Sequence, residues 1–353
     1  MSLSPTVPVL ALALGALLAP APSRAQAPDA APAETLQRVG YLCDYGTGWQ
    51  GYLPFVERLE ELGYATAAPT SGARRARIKI EFRGCGVTEE YLREMARQLV
   101  SARVDVIVAP GAAALGAARD ATRAVAIPIV FVGVDDPVAA GFVASLARPG
   151  GNITGVAGMA RGAGARRLAL LKEALPELSR VAVLVNPTGA AAPALLGETR
   201  DAARALGLEL DVVELRDDDG DGEGLGRAFD RAFSGIDESG AAALVVLPDP
   251  LFLAYRGWIL GYAWRARLPG IYGEAGYAAA EIPPGLMSYG PIVIEQHVRM
   301  ADYVAKVLGG LDPAGLAVAR PTSFELVINL SAARAFGLTL PKSLLARASK
   351  VIE

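Results

Sequence analysis

The stretch from Ile129 to Gly158 constrains this chain more tightly than any other. Its opening run, Ile129 to Val134, is apolar, with Pro128 on one side and Asp135, Asp136 and Pro137 on the other. A short apolar run with such borders is the pattern of a strand buried on both faces, as in a parallel sheet. An amphipathic turn or two follows over 138–146, and Arg148-Pro149-Gly150-Gly151-Asn152 can only bend the chain. A second apolar strand, Ile153 to Val156, comes directly after.

The same rhythm extends in both directions. Strand patterns at Val39–Cys43, Ile78–Phe82 and Val104–Ala109 alternate with helical patterns at Leu53–Leu62, Glu89–Ala102 and Ala112–Ala124. The pattern restarts beyond the bend. Helices at Arg166–Ala174, Ala194–Leu206, Leu225–Phe233 and Ala254–Ala266 separate strands at Val181–Val185, Leu208–Val213, Leu244–Leu247 and Gly270–Tyr272. Strands alternating with helices of such length predict an α/β fold with parallel sheets covered on both faces. Two successive units predict two Rossmann-like lobes, 37–156 and 157–284. After 285 a strand, a long helix (Ile292–Leu308) and a last strand–helix pair remain.

Composition narrows the partners. Just over half of the 353 residues are apolar and the net charge is −3, so the chain is globular, with no electrostatic case for nucleic acid or an anionic membrane. Residues 1–27 read as a signal peptide: an apolar core from Val7 to Leu18 leads to Ala25-Gln26-Ala27, an A-x-A cleavage pattern. A core of about 12 residues cannot cross the roughly 30 Å of bilayer hydrocarbon, so stable membrane insertion is not expected. Residues 28–36 are a Pro/Ala-rich linker without periodicity. The two cysteines, Cys43 and Cys85, fall at or just past the carboxyl ends of the first two strands. Those strands are neighbours in the usual doubly wound order, about 4.8 Å apart, and a disulfide between them is expected in an exported protein.

Open parallel sheets bind ligands at the carboxyl ends of their strands. That rule selects Asp44, Tyr45, Gly46 and Thr47 after the first strand, and Gly111, Ala112 and Ala113 after the third. It selects Asp135 and Asp136 after the fourth. From the second unit come Gly158–Ala160, Asn186, Asp249, Tyr272 and Glu274. Each segment also reads as turn chemistry alone; their recurrence at every strand end is the stronger signal. Asp249, held between Pro248 and Pro250, is expected to pair with a ligand amine or hydroxyl. Tyr45, Trp49, Tyr272, Tyr277 and Tyr289 offer aromatic surface near the same cleft.

Several other motifs lead elsewhere. Gly46–Gly51 matches G-x-G-x-x-G, which leaves open an NAD-dependent Rossmann enzyme. Trp49 inside the turn, and Glu81 in mid-strand where an acid is needed at the strand end, weigh against it. Asp217–Gly222 copies the front of a calcium loop, yet Ala228 stands where a bidentate Glu is required, so no metal is expected. His297 is the single histidine, no G-x-S-x-G elbow occurs, and neither cysteine sits in a catalytic motif. No catalytic residue and no cofactor is therefore assigned.

Four segments carry a resemblance: DPVAAGFVASLARPGGNITGV (136–156), KEALPELSRVAVLVNP (172–187), GLMSYGP (285–291) and the final PTSFELVINLSAARAFGLTLPKSLLARASKVIE (321–353). The chain resembles the ABC-transporter substrate-binding protein family that includes tryptophan-binding periplasmic proteins, over nearly everything after residue 36. The resemblance implies a type I periplasmic binding protein fold and no reaction of its own. It implies a periplasmic monomer that closes on a small-molecule ligand, an amino acid or other carboxylate, and delivers it to ABC permease and ATPase subunits. It also implies that the tail recrosses, 285–318 returning to the first lobe and 319–353 to the second. A ligand-sensing accessory uncoupled from transport would share the fold. Relatives carry a Thr/Ser-bearing stretch after the third strand, whereas Ala109–Ala113 offers no hydroxyl. The backbone N–H groups of Gly111 to Ala113, at a helix start, are the expected substitute for a ligand carboxylate.

The N-terminal pattern predicts that protein recovered from the periplasm begins at or near Pro28. N-terminal sequencing checks this, and an intact Met1 in the membrane fraction would contradict it.

Overall fold

The computed structural model describes residues 36–44, 51–66, 77–86, 88–158, 162–189, 191–216, 224–281 and 283–353; the side chains of 43, 44 and 84–86 lie outside that description. Residues 1–35, read above as a signal peptide and most of a linker, the 46–51 glycine turn up to Gln50, and the 217–222 acidic loop lie outside the described residues.

The first lobe is built from β1 (Gln37–Asp44), α1 (Tyr52–Glu61), β2 (Ile78–Gly86), α2 (Glu89–Ser101), β3 (Val106–Pro110), α3 (Ala112–Ala121), β4 (Ile129–Val134) and β5 (Ile153–Ala157). Its five strands are parallel, in the order β2-β1-β3-β4-β5. Every residue of β3 and β5 is buried, which is why these segments are apolar, Thr154 excepted, and not alternating. Asp44 lies opposite Gly86 at the end of the β1–β2 ladder. The two strands that carry Cys43 and Cys85 are thus neighbours, but both thiols lie outside the described side chains.

The second lobe follows with α4 (Ala163–Ala174), β6 (Arg180–Val185), α5 (Ala192–Leu206), β7 (Glu209–Glu214), α6 (Gly224–Ser239) and β8 (Ala243–Val246). Then come α7 (Pro250–Ala254), α8 (Arg256–Arg265), β9 (Gly270–Tyr272), α9 (Ala275–Ala278) and β10 (Met287–Pro291). After α10 (Val293–Leu308) the chain closes with β11 (Phe324–Asn329), α11 (Leu330–Ala335), α12 (Lys342–Ala346) and β12 (Lys350–Ile352). The second sheet has seven strands, ordered β12-β11-β10-β9-β8-β6-β7.

Two details correct the sequence-based expectation. Residues from 285 do not leave the second lobe: β10 pairs with β9 and β11, and the crossing comes after Pro291. Helix α10 then packs on the first lobe, burying Met300, Tyr303, Val304 and Val307 at helical spacing against Tyr41, Val108 and Val132. Thr154 donates to the Leu316 carbonyl at 2.6 Å and Val156 bridges to Ala319, so the return to the second lobe falls after 319. The second correction is direction, because β11 runs antiparallel to β10. The chain leaves the second sheet at the carboxyl end of β10 and re-enters beside it, so the returning strand must run backwards.

The chain passes between the lobes at 158–162, at Ile292 and at 320–323. These crossings touch: the Gln296 side-chain amide donates to the Gly158 carbonyl at 3.2 Å, and the Ile292 N–H to the Ser323 carbonyl at 3.2 Å. Beside them β10 passes so near the loop after β9 that a Cβ on Gly290 would sit 1.7 Å from the Gly273 carbonyl oxygen. Gly290→Ala must push strand and loop apart, at a cost of about 1–3 kcal/mol, the range for overpacking. Urea unfolding measures it; a wild-type midpoint would contradict this close approach.

Candidate functional site

The carboxyl ends of both sheets meet at a small cavity beside the crossings. Gly133, Asp135 and Gly158 line it from the first lobe, and Pro248, Gly273 and Glu274 from the second. Pro291, Val293, Gln296 and His297 complete the wall. The cavity holds about 70 Å³. A larger groove, about 520 Å³, lies near Pro128 and Asn152, at the amino ends of β4 and β5, away from the strand ends where α/β ligands sit.

Asp135 is placed by the end of β4, where Gly133 takes a φ of 77° and turns the chain. Its carboxylate lies over the first crossing, since a Cβ on Gly158 would be 2.3 Å from Oδ1. Glu274 follows β9 and faces the same space from the other lobe. Both carboxyls keep some surface on the cavity, yet protein surrounds them. Burial pushes Asp135 up to about 7, helped by the negative charge of Glu274 and opposed by Arg167. Burial likewise raises Glu274 to about 7, against the pull of Arg167.

Other residues expected at the cleft serve different ends. Asp136 accepts the Val138 and Ala139 N–H groups at 3.2 and 2.9 Å, so it caps a turn. Asp249 caps α7 by accepting from the Leu251 N–H at 2.9 Å, and its other oxygen accepts from the Asn186 amide at 3.2 Å. Far from being a freely solvated loop carboxylate, it is half-buried, with its pKa raised by that burial. Asn186 spends its own oxygen on Thr188. The Gly111 N–H already donates to the Val132 carbonyl at 2.8 Å, and Ala112 and Ala113 are exposed outside the cavity. Tyr272 is 1% exposed and stacks on Tyr277, ring centroids 4.5 Å apart, inside the core. The expectation that it contacts ligand is corrected: in this strand its ring points to the face covered by α8, against Leu260 and Tyr277. Tyr289 stacks on Phe324. Beyond its backbone Asp44 lies outside the described residues, as do Tyr45, Gly46, Thr47 and Trp49.

Three polar residues of α4 and α10 join the site without having been selected. Arg167 is fully buried on the apolar face of α4, with Ala163, Leu170, Leu171 and Ala174 at helical spacing. Gln296 and His297 continue the buried stripe of α10. His297 donates from Nδ1 to the Val293 carbonyl at 2.9 Å, and its buried Nε2 has no partner among the described residues. Burial depresses its pKa, favouring the neutral ring, so with Nδ1 donating, Nε2 is left as a buried acceptor on a residue that lines the cavity. The signal was present in the sequence as polar residues on otherwise apolar helical faces.

A family model described as ABC transporter substrate binding protein matches residues 63–352. A tyrosine-binding protein of Clostridioides difficile (strain R20291) is 30% identical over 160 residues, 45% of this chain and 42% of that protein. The match thus spans under half of that relative's length. An ABC domain in complex with L-Trp from Streptococcus pneumoniae superposes at a TM-score of 0.77 with 21% identity, covering 90% of this chain and 100% of that one. A conserved domain protein from Vibrio cholerae superposes at 0.76 with 25% identity, covering 90% of this chain and 99% of that one.

Raised carboxyl pKa values fix the sign of a pH dependence. Asp135 and Glu274 hold protons in the folded state that the unfolded chain has released, so their contribution to stability falls as pH rises from about 4 to about 7. His297, kept neutral by burial, contributes in the opposite sense below its ordinary value of 6.5. Glu81, held at about 2 by Lys79 and Arg38, acts only at lower pH. Urea midpoints across pH 4.5–7.5 should show the decline, with a flatter profile in Glu274→Gln. Parallel profiles would contradict the assignment.

Proposed function

The chain belongs to the ABC transporter substrate-binding protein family, and from that premise we propose that it is an exported solute-binding protein that captures a small carboxylate, an amino acid first of all, between its two lobes. The observation that carries this reading is the convergence of Asp135, from one lobe, and Glu274, from the other, on one cavity beside the crossings. A solute bridging these groups stabilises the closed arrangement, and the closed arrangement is what a permease distinguishes from the open one. Known small-molecule pockets run from about 300 to 1,000 Å³. At about 70 Å³ this cavity admits such a solute only if the lobes part. Crossings that lie against one another, as Gln296 on Gly158 and Ile292 on Ser323, can act as a hinge without unfolding either sheet.

The L-Trp held by the pneumococcal structure and the name of the clostridial relative support an amino acid, with aromatic side chains the first to test. Export rests on the A-x-A pattern before Pro28 and on the family match. Among the described residues no helix is long and apolar enough to cross a membrane. The partners in this reading are a permease and an ATPase, the binding protein acts as a monomer, and no reaction is assigned to it. The comparisons lend no support to a dinucleotide enzyme at the 46–51 turn. Asp249 stays in the proposed site as a wall of the cleft, together with Asn186.

Thermal unfolding with each of the twenty L-amino acids in turn tests the reading. A solute at about a hundred times its Kd stabilises by about 2.7 kcal/mol, a rise on the order of 5 °C in a chain of this size. At least one amino acid, aromatic ones first, should produce that rise. No response to any at millimolar concentration would overturn the amino-acid reading.

A further inference from the structure

We propose that Arg167 is the anion anchor of the cleft, binding the carboxylate of the solute through both terminal nitrogens of its guanidinium. This rests on the reading of the cleft as a solute site and names the residue that selects the solute's charge. Arg167 is 0% exposed. Its Nε donates to the Ala163 carbonyl at 3.3 Å, while Nη1 and Nη2 are buried with no hydrogen-bond partner among the described residues. A guanidinium stays protonated in proteins, so this is a buried cation with unmatched donors, an arrangement folding alone does not favour.

The direction of the side chain supplies the second observation. A Cβ on Gly273 would lie 3.3 Å from Nη1 and 2.5 Å from Pro248 Cγ. Gly273 and Pro248 both line the cavity. The guanidinium thus packs directly against Gly273, a residue of the cavity wall, and a side chain at that position would crowd both Pro248 and Nη1. The charged groups nearest in effect are Glu274, Asp135 and Glu198, with Tyr289 beside them, and none forms an ion pair with Arg167. Glu198 is engaged elsewhere, accepting the Gly162 N–H at 3.1 Å. Asp135, Glu274 and His297, whose buried Nε2 is an unpartnered acceptor among the described residues, line the same cavity.

The site thus offers one planar, bidentate donor fork and, beside it, two carboxyls and a ring nitrogen that accept. A carboxylate matches the fork, and an ammonium matches the acceptors. That pairing selects a zwitterion over either a simple amine or a simple acid. It also supplies a carboxylate partner from a side chain, where the stretch after β3 has none.

Titration calorimetry on wild type, Arg167→Lys and Arg167→Met tests it. The probes are L-tryptophan and L-tyrosine, the decarboxylated tryptamine and tyramine, and the deaminated indole-3-propionate and 3-(4-hydroxyphenyl)propionate. Wild type should bind an amino acid at least roughly 30-fold tighter than its amine, the loss expected when a buried charge-assisted partner is removed. Arg167→Met should weaken carboxylate-bearing probes by a similar factor and amines hardly at all, with Arg167→Lys between. Without solute, Arg167→Met should melt at or above the wild-type temperature, because it removes an unpartnered buried charge, whereas a structural arginine would lower it. If Arg167→Met does not fold, the lysine variant and the wild-type comparison of acid with amine still decide. Carboxylates bound equally by wild type and both variants, or amines bound as tightly as amino acids, would overturn the anchor. Binding of the deaminated acids alone, lost in Arg167→Met, would keep the anchor and retire the amino acid. Failure of every carboxylate to bind would overturn both.

Discussion

Two open sheets can present their strand ends to one another only if the chain crosses between them at those ends. Here the chain leaves the first lobe after Gly158 and crosses again at Ile292 and over 320–323, and these points are tied by Gln296 to Gly158 and by Ile292 to Ser323. Much follows from that constraint. The loops after β4 and β9 face each other, β11 must run antiparallel to β10, and α10 belongs to the first lobe although its flanking strands belong to the second. The glycines at 158, 273 and 290 sit where the Asp135 carboxylate, the Pro248 ring and the Gly273 carbonyl, respectively, approach too closely for a side chain.

The same convergence creates an electrostatic problem. Asp135, Glu274 and Arg167 are drawn into protein surroundings at the junction of the lobes, where an ionised group loses much of its hydration. The carboxyls respond by holding protons near neutral pH. The guanidinium cannot, and its terminal N–H groups have no acceptor among the described residues. A site in that condition has more to gain from a charged solute than from further internal packing. Functional sites are where local rules of burial and pairing are broken, and the breach here is concentrated in one cavity.

Much of this architecture was legible in the residues. Buried parallel strands such as Val106–Pro110 and Ile129–Val134 declare themselves as apolar runs; Asp135 directly follows the second of these, and Glu274 follows the short strand β9. Less legible was anything decided between the lobes. The point of departure after Pro291 and the direction of β11 depend on where the chain re-enters, which no local periodicity records. Short strands misled as well: Gly270–Tyr272 is only 3 residues long, and its alternation gave no hint that Tyr272 faces the core. Asp136 and Asp249 looked like ligand groups because capping and binding use the same short acids at the same places. Arg167 stands at buried helical spacing on α4, a charge among apolar residues that the choice of strand ends as the site did not select.

Small-angle X-ray scattering with and without a saturating solute tests the central claim, that a bound solute closes one lobe on the other. The account predicts a smaller radius of gyration on binding, with the saturated curve matching the coordinates in which Asp135 and Glu274 share one cavity. A solute that binds tightly and leaves the scattering curve unchanged would contradict it.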